Sequence, residues 1–232
     1  MKVQLSVAGS AVSSQLELEA RAGDSLSHAI WLSGLLPPQP LCSGLGSCGR
    51  CRVRWSENAP EPSPAEEALL APAAVVDGWR LACRHSVPQV GDALKLELPP
   101  EAFAVFPAEA EIDGSSPEEE LALAVDLGTT SIYWQAVCPD GQAVAQGSFL
   151  NPQAGAGADV VSRLSLARDV QQRALLAGLV RSALRRLCEQ LERAGSISSI
   201  CLAGNPAMTA IVLEQDLSIN CSGGLSSEDN RR

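Results

Sequence analysis

Four cysteines stand at a spacing that can hold metal. Cys42, Cys48 and Cys51 lie in the glycine- and serine-rich stretch LCSGLGSCGRCRV, and Cys83 follows well downstream, giving the pattern C-x5-C-x2-C-x31-C. Four thiolates satisfy either a tetrahedral zinc ion or a [2Fe–2S] cluster. The two make different demands. A zinc ribbon gathers two CxxC pairs, each on a tight knuckle, and this set contains a single CxxC. Three ligands on one loop with a distant fourth suit a cluster that the loop wraps. Backbone N–H groups must then point inward at sulfur. Gly44, Gly46 and Gly49 permit the positive φ and close backbone approach this requires. Ser43 and Ser47 are small enough not to intrude. The spacing assigns Cys42 and Cys48 to one iron, Cys51 and Cys83 to the other. A zinc site and plain buried thiols are the competing readings.

Arg50, Arg52, Arg54, Arg80 and Arg84 flank these cysteines. As ordinary solvated side chains they need no special role; as a cluster-side charge they would ease reduction and attract an acidic partner. His28 and His85 read as core or surface histidines, since four cysteines leave no ligand position open. Cys138, Cys188, Cys201 and Cys221 have no ligand spacing and read as buried single thiols. A second chemical candidate is DLGTT at 126–130. Asp126 ends an apolar run, and Gly128, Thr129 and Thr130 form a turn whose N–H groups and hydroxyls can cradle a phosphate, with Asp126 holding Mg²⁺ through water. A plain hairpin is the competing reading. No GxxxxGK[ST] occurs.

Composition bounds what these groups can serve. The 232 residues are 46% hydrophobic and 19% charged, enough for one or two packed domains. A net charge of −10 and 3% aromatics exclude a nucleic-acid footprint and an anionic membrane surface. The N-terminus alternates polar and apolar residues instead of showing the continuous apolar stretch of a signal peptide, so a cytoplasmic protein is expected. A reducing cytosol makes metal or catalysis, not disulfides, the use of clustered cysteines.

The elements that must position these residues divide the chain. Within 1–100, KVQLSV and SQLELEA alternate with period two and read as a hairpin. A helix follows, capped by Asp24 or Ser25, with Leu26, Ala29, Ile30 and Ser33 inward. CRVRW is a strand; SPAEEALL is a short helix with Ser63 as cap and Glu66 at the capping-box position; WRLACRHSV and DALKLELP are two further strands. Residues 101–120 hold seven acidic residues, two prolines and no basic residue, and read as a solvated linker. Strands are expected at 121–126, 131–138 and 142–149, the last two joined by a tight turn at 139–141. NPQAGAGADVVSRLS leads into a helix. A long amphipathic helix then carries Leu176, Leu179, Val180, Ala183, Leu184, Leu187 and Leu191 on one stripe and stops at Gly195. SISSICLAG reads as a buried strand, followed by the turn Gly204-Asn205-Pro206 and another helix. Residues 217–232 read as a disordered tail.

The loop is one residue longer than the plant-type C-x4-C-x2-C form and is similar to adrenodoxin-like [2Fe–2S] domains. The DLGTT hairpin resembles the first phosphate motif of the actin, sugar-kinase and Hsp70 superfamily. In order along the chain, C-x5-C-x2-C, an acidic linker, AVDLGTTSI, NPQAGAGADVVSR and LAGNPAMT resemble the reductive activators of corrinoid proteins, iron–sulfur proteins with an actin-like (ASKHA) ATPase domain. The similarity covers residues 1 to 216.

The resemblance implies an α/β (α+β) protein: a β-grasp [2Fe–2S] ferredoxin-like domain at 1–100, then a partial RNase H-like lobe at 121–216. It implies Cys42, Cys48, Cys51 and Cys83 as cluster ligands and Asp126, Gly128, Thr129 and Thr130 as a phosphate loop for ATP and Mg²⁺. Asn151, Asp159, Arg163 and Asn205 match family motifs without an assigned role. The implied function is ATP-dependent return of a corrinoid cobalt from Co(II) to Co(I), with a corrinoid protein of a methyltransferase system as partner and an upstream electron donor. Family members continue for several hundred residues past AGNPAMT, so a C-terminally truncated member is expected. A free-standing [2Fe–2S] electron carrier or docking module is the alternative.

Overall fold

Strand alternation puts Val3 and Leu5 on one face and Lys2 and Gln4 on the other, and the first pair of strands follows from it. In the computed structural model, which describes residues 1–8, 15–89, 91, 93–103, 109–112 (backbone), 120–192 and 194–215, β1 (Lys2–Val7) and β2 (Leu16–Glu19) are antiparallel with Lys2 opposite Glu19. α1 (Leu26–Trp31) starts at Ser25, whose hydroxyl accepts the His28 N–H, and buries Leu26, Ile30 and Trp31. β3 (Arg52–Trp55), α2 (Pro64–Leu69), α3 (Pro72–Val76), β4 (Trp79–Leu81) and β5 (Ala93–Leu98) complete the first unit. Its sheet has the order β2-β1-β5-β3-β4, with β1 and β5 parallel. This is a β-grasp arrangement, and α1 packs its apolar face into the same core as Val3, Leu5, Val53, Leu81 and Leu96.

The strand expected over 79–87 is shorter. β4 ends at Leu81, and Ala82–Arg84 form a 3-10 turn. On the outer side of this edge strand the buried Glu66 carboxylate accepts the Leu81 N–H at 2.6 Å.

The second sheet has the order β10-β7-β8-β9-β6. Its members are β6 (Glu109–Ile112), β7 (Glu120–Leu127), β8 (Ser131–Val137), β9 (Ala143–Leu150) and β10 (Ser196–Gly204). β7, β8 and β9 form an antiparallel meander, and β10 runs parallel to β7. The turn before β9 has Gly141 at φ +86° and its N–H bonded to the Cys138 carbonyl oxygen at 2.9 Å. α4 (Val160–Ala167), α5 (Val170–Leu191) and α6 (Pro206–Val212) pack on this sheet. The stripe on α5 is inward as expected: Leu176, Val180, Leu184, Leu187 and Leu191 are buried, with Leu179 packed at the margin. Three antiparallel strands followed by a parallel fourth reached through a helix are the order of an RNase H-like half. The protein is thus mixed α+β with two mixed sheets.

Two features differ from the sequence reading. β6, inside the acidic 101–120 segment, pairs antiparallel with β9, Glu109 opposite Ser148. β10 is not buried: it is the sheet edge, and Ile200 is 50% exposed. The tail at 217–232 and Cys221 lie outside the described residues, as do 104–108 and 113–119. Among the described residues no helix is long and apolar enough to cross a membrane.

Candidate functional site

The cysteine loop lies between α1 and β3, so the helix anchors one end and the sheet the other. Gly44, Gly46 and Gly49 sit at φ +84°, +72° and +65°, the left-handed conformations expected of them. Ser43 shares that conformation at φ +56°, although it is not glycine. This winding turns N–H groups toward sulfur. The Cys42 sulfur accepts from the N–H groups of Cys48 and Ser47, the Cys48 sulfur from Arg50 and Cys42, and the Cys83 sulfur from Gly46.

The thiols meet as two pairs, Cys42 with Cys48 and Cys51 with Cys83, each within hydrogen-bonding reach. Burial opposes ionisation of Cys42, but the backbone and side-chain hydrogen bonds from Cys48 and Ser47 together outweigh it and hold this thiol at about 6. Burial raises its partner Cys48. In the deeper pair Cys51 donates to Cys83, which raises Cys51 and lowers Cys83. In each pair one thiol is thus favoured for ionisation over the other. Among the described residues, no three His, Cys, Asp or Glu side chains converge closely enough to surround one metal ion.

Cys83 is fixed from behind by a polar group that sequence reasoning reduced to a helix cap. Glu66 accepts from the Ser63 N–H at 2.6 Å and the Ser63 hydroxyl at 2.8 Å, which is the capping box. Its other oxygen takes the Leu81 N–H and lies 2.8 Å from His85 Nε2. His85 also packs edge-on to Trp55, with ring centroids 5.3 Å apart. The 3-10 turn carrying Cys83 is thus held on both sides.

The flanking arginines are not all solvated. Arg80 is 5% exposed and donates to the carbonyl oxygens of Pro60, Val75 and Trp79. Arg84 donates to the Gly44 carbonyl oxygen at 3.1 Å and Arg50 to that of Pro40 at 3.3 Å, so both brace the cysteine loop. Arg54 pairs with Asp77 at 2.9 Å and with Glu97. Of the remaining cysteines, Cys138 and Cys188 are half-buried, but Cys201 is exposed because β10 is an edge strand.

The second candidate lies where β7 ends. Asp126 is exposed near the end of β7; Gly128, Thr129 and Thr130 turn into β8, with the Gly128 N–H on the Asp126 carbonyl oxygen at 3.1 Å. A Cβ at Gly128 would strike the Ser131 carbonyl oxygen, so the turn is closed to any side chain there. Parallel strands β7 and β10 end together, Leu127 opposite Gly204. The unassigned asparagines both act on this turn. Asn151, fully buried, donates from Nδ2 to the Gly128 carbonyl oxygen at 2.8 Å, and its own N–H bonds the Thr130 carbonyl oxygen at 2.8 Å. Asn205 caps α6 and donates to Thr129 Oγ1 at 3.3 Å.

From Asn151 the chain runs through a 3-10 turn, Pro152–Ala156, to Asp159. This segment crosses from the second unit to the first. A Cβ at Gly155 would come within 2.9 Å of the Trp31 carbonyl oxygen, and one at Gly157 within 2.5 Å of Ser43 Oγ. Asp159 caps α4 and accepts from the Ser43 hydroxyl at 3.2 Å. Buried Arg163 donates from Nε to the Gly157 carbonyl oxygen at 3.0 Å, and burial holds its guanidinium at about 10. Nothing local in the sequence marks the pairing of Ser43 with Asp159, 116 positions apart.

Residues 121–220 match the family model described as the RACo middle region, and over that stretch the family resemblance holds. The F component of the Na(+)-translocating NADH-quinone reductase from Yersinia enterocolitica is 40% identical over 98 residues, 40% of this chain and 22% of that protein. Its counterpart in Klebsiella pneumoniae is 34% identical over 132 residues, 53% of this chain and 31% of that protein. The chain therefore spans between a fifth and a third of the length of these curated relatives. Among the solved structures that align are a reductive activator for corrinoid, iron–sulfur protein, at 18% identity and TM-score 0.35 over 93% of this chain and 49% of that one, and a Trichomonas vaginalis ferredoxin, at 21% identity and TM-score 0.34 over 42% of this chain and all of the other.

Proposed function

We propose that the chain binds a [2Fe–2S] cluster through Cys42, Cys48, Cys51 and Cys83 and passes single electrons through it, within a cytoplasmic reductive activator of a corrinoid protein. One observation carries the cluster reading. The thiols stand as two pairs, three on a loop whose N–H groups face sulfur and Cys83 on the turn beside it. A zinc ion needs four donors around one centre, whereas a two-iron cluster takes its four cysteines as two pairs. When bound, the cluster supplies a one-electron couple. The chain's own part is to present thiolates, donate N–H bonds to them and hold Cys83 through Glu66. The relatives that are components of an NADH-quinone reductase support a redox role for the chain.

The match to the RACo middle region supports a place for residues 121–216 in corrinoid activation. In this reading an upstream donor reduces the cluster, the electron passes to Co(II) of a methyltransferase corrinoid protein, and ATP with Mg²⁺ sits at Asp126, Gly128, Thr129 and Thr130. The deciding experiment is a visible and EPR spectrum of the anaerobically purified chain before and after dithionite, with iron and zinc analysis. About two irons per chain and an S = 1/2 signal on reduction are expected. One zinc and no colour would overturn the reading. Binding of Mg-ATP measured by calorimetry, weakened by Thr130→Ala, tests the phosphate loop; no heat with the unaltered chain leaves the electron-carrier alternative.

A further inference from the structure

We infer that Asp159, on the second unit, is a positioning residue for the metal centre proposed in the first, fixing the cysteine loop through Ser43 and setting the charge beside it. The inference rests on the cluster reading of the four cysteines. Ser43 directly follows Cys42, and its left-handed backbone is a conformation that serine rarely holds without support. Asp159 gives that support. The Ser43 hydroxyl donates to Asp159 Oδ2 at 3.2 Å, across 116 positions of sequence. The carboxylate is itself immobilised by the start of α4: Oδ1 accepts the Ser162 N–H at 2.9 Å and Oδ2 the Ser162 hydroxyl at 2.7 Å. Gly157 makes the approach possible, since a methyl group there would lie 2.5 Å from the Ser43 oxygen.

Two consequences follow for a cluster held by Cys42. The loop keeps the winding that aims the Ser47 and Cys48 N–H groups at the Cys42 sulfur. A fixed negative charge also stands one residue from a ligand. Reduction adds an electron to an already anionic centre, so a neighbouring carboxylate opposes it, more strongly at low salt than at high salt because the site is exposed. The opposite end of the same segment, Asn151, holds the 128–130 turn. One strap therefore touches both loops, and Asp159 is its contact with the cysteines.

The test compares the full chain with Asp159→Asn and Ser43→Ala, each reconstituted anaerobically, by spectroelectrochemical titration and EPR. Amide hydrogen exchange on the metal-free chains is measured beside them. Asparagine keeps the helix cap and can still bond Ser43, so Asp159→Asn isolates the charge. Its cluster should be easier to reduce, the reduced-to-oxidised ratio at a fixed potential rising about threefold at low salt and less at high salt. Ser43→Ala should alter the EPR g-values and speed exchange of the amides of residues 44–48 about fivefold. Unchanged midpoint and spectrum in both variants, with unchanged exchange, would overturn the inference. A chain that takes up no two-iron cluster overturns the proposed function instead, and the exchange experiment then decides the latch alone.

Discussion

Glu66 Oε1 lies 2.8 Å from His85 Nε2, two residues past Cys83, while accepting the Leu81 N–H at 2.6 Å. A fully buried carboxylate thus ties α2 to the turn that presents the fourth cysteine. Glu66→Ala should cost about 3 kcal/mol in urea unfolding, because Ser63, His85 and the buried Leu81 N–H all lose their acceptor. Burial alone would raise the Glu66 pKa, but the hydrogen bonds prevail and hold it below its ordinary 4.5. A depressed pKa stabilises the fold above the ordinary value and loses that contribution as pH falls through the lower folded value. Stability should therefore drop below about pH 4.5, and Glu66→Gln should flatten that limb. An unchanged acid limb in the glutamine variant would remove Glu66 as its source.

The two thiol pairs predict unequal outcomes among the cysteines. Serine at position 42, 48, 51 or 83 should abolish or sharply reduce iron retention and the reduced-state EPR signal. Cys188→Ser and Cys201→Ser should keep full iron content, since these thiols lie on α5 and β10 and belong to neither pair. Iron per chain after anaerobic reconstitution is the measurement.

Gly157→Ala should destabilise the chain by about 2 kcal/mol. The new methyl would press on Ser43 Oγ at 2.5 Å and on Ser162 Cβ at 2.7 Å, from a backbone at φ +149°. Thermal unfolding reads the loss. Gly178→Ala is the control, because its Cβ would meet nothing within 4 Å, and it should be neutral or slightly stabilising on α5.

Asn151→Ala should cost about 2–3 kcal/mol, leaving the Gly128 carbonyl oxygen and the Gln153 N–H without their partner. Hydrogen exchange should show the loss concentrated at 128–130. Uniform loss across the second sheet, with no excess at that turn, would count against Asn151 as its brace.

What the sequence made legible was local. The hairpin of β1 and β2, the capping box at Ser63 and Glu66, and the apolar stripe of α5 each express a period or a short-range bond, and all are present. Positive φ at Gly44, Gly46 and Gly49 was readable because only one residue type tolerates it freely. Non-local relations were hidden. Arg80 carries a charge, and only the fold reveals three carbonyl oxygens around it. β6 sits among acidic residues that resemble a linker, and only β9 gives it a partner. SISSICLAG has the composition of an interior strand, yet its place at the sheet edge exposes Cys201 and Ile200. The bonds of Asn151 and Asn205 to the 128–130 turn span 23 and 76 positions, beyond any spacing rule.

The parallel pairing of β1 with β5 also sets a timetable for synthesis. Lys2 lies beside Ala93 and Val7 beside Leu98, so the first strand of the unit waits for its last. At translation rates of about 5–20 residues per second, that wait is roughly 5–20 s after the start. From the middle of it Cys42, Cys48 and Cys51 are on a nascent chain whose sheet is incomplete, and Cys83 is made only near the end. Metal loading of an ordered loop thus belongs after the ribosome has passed residue 98, and thiols exposed before then depend on the redox state of their surroundings rather than on the fold.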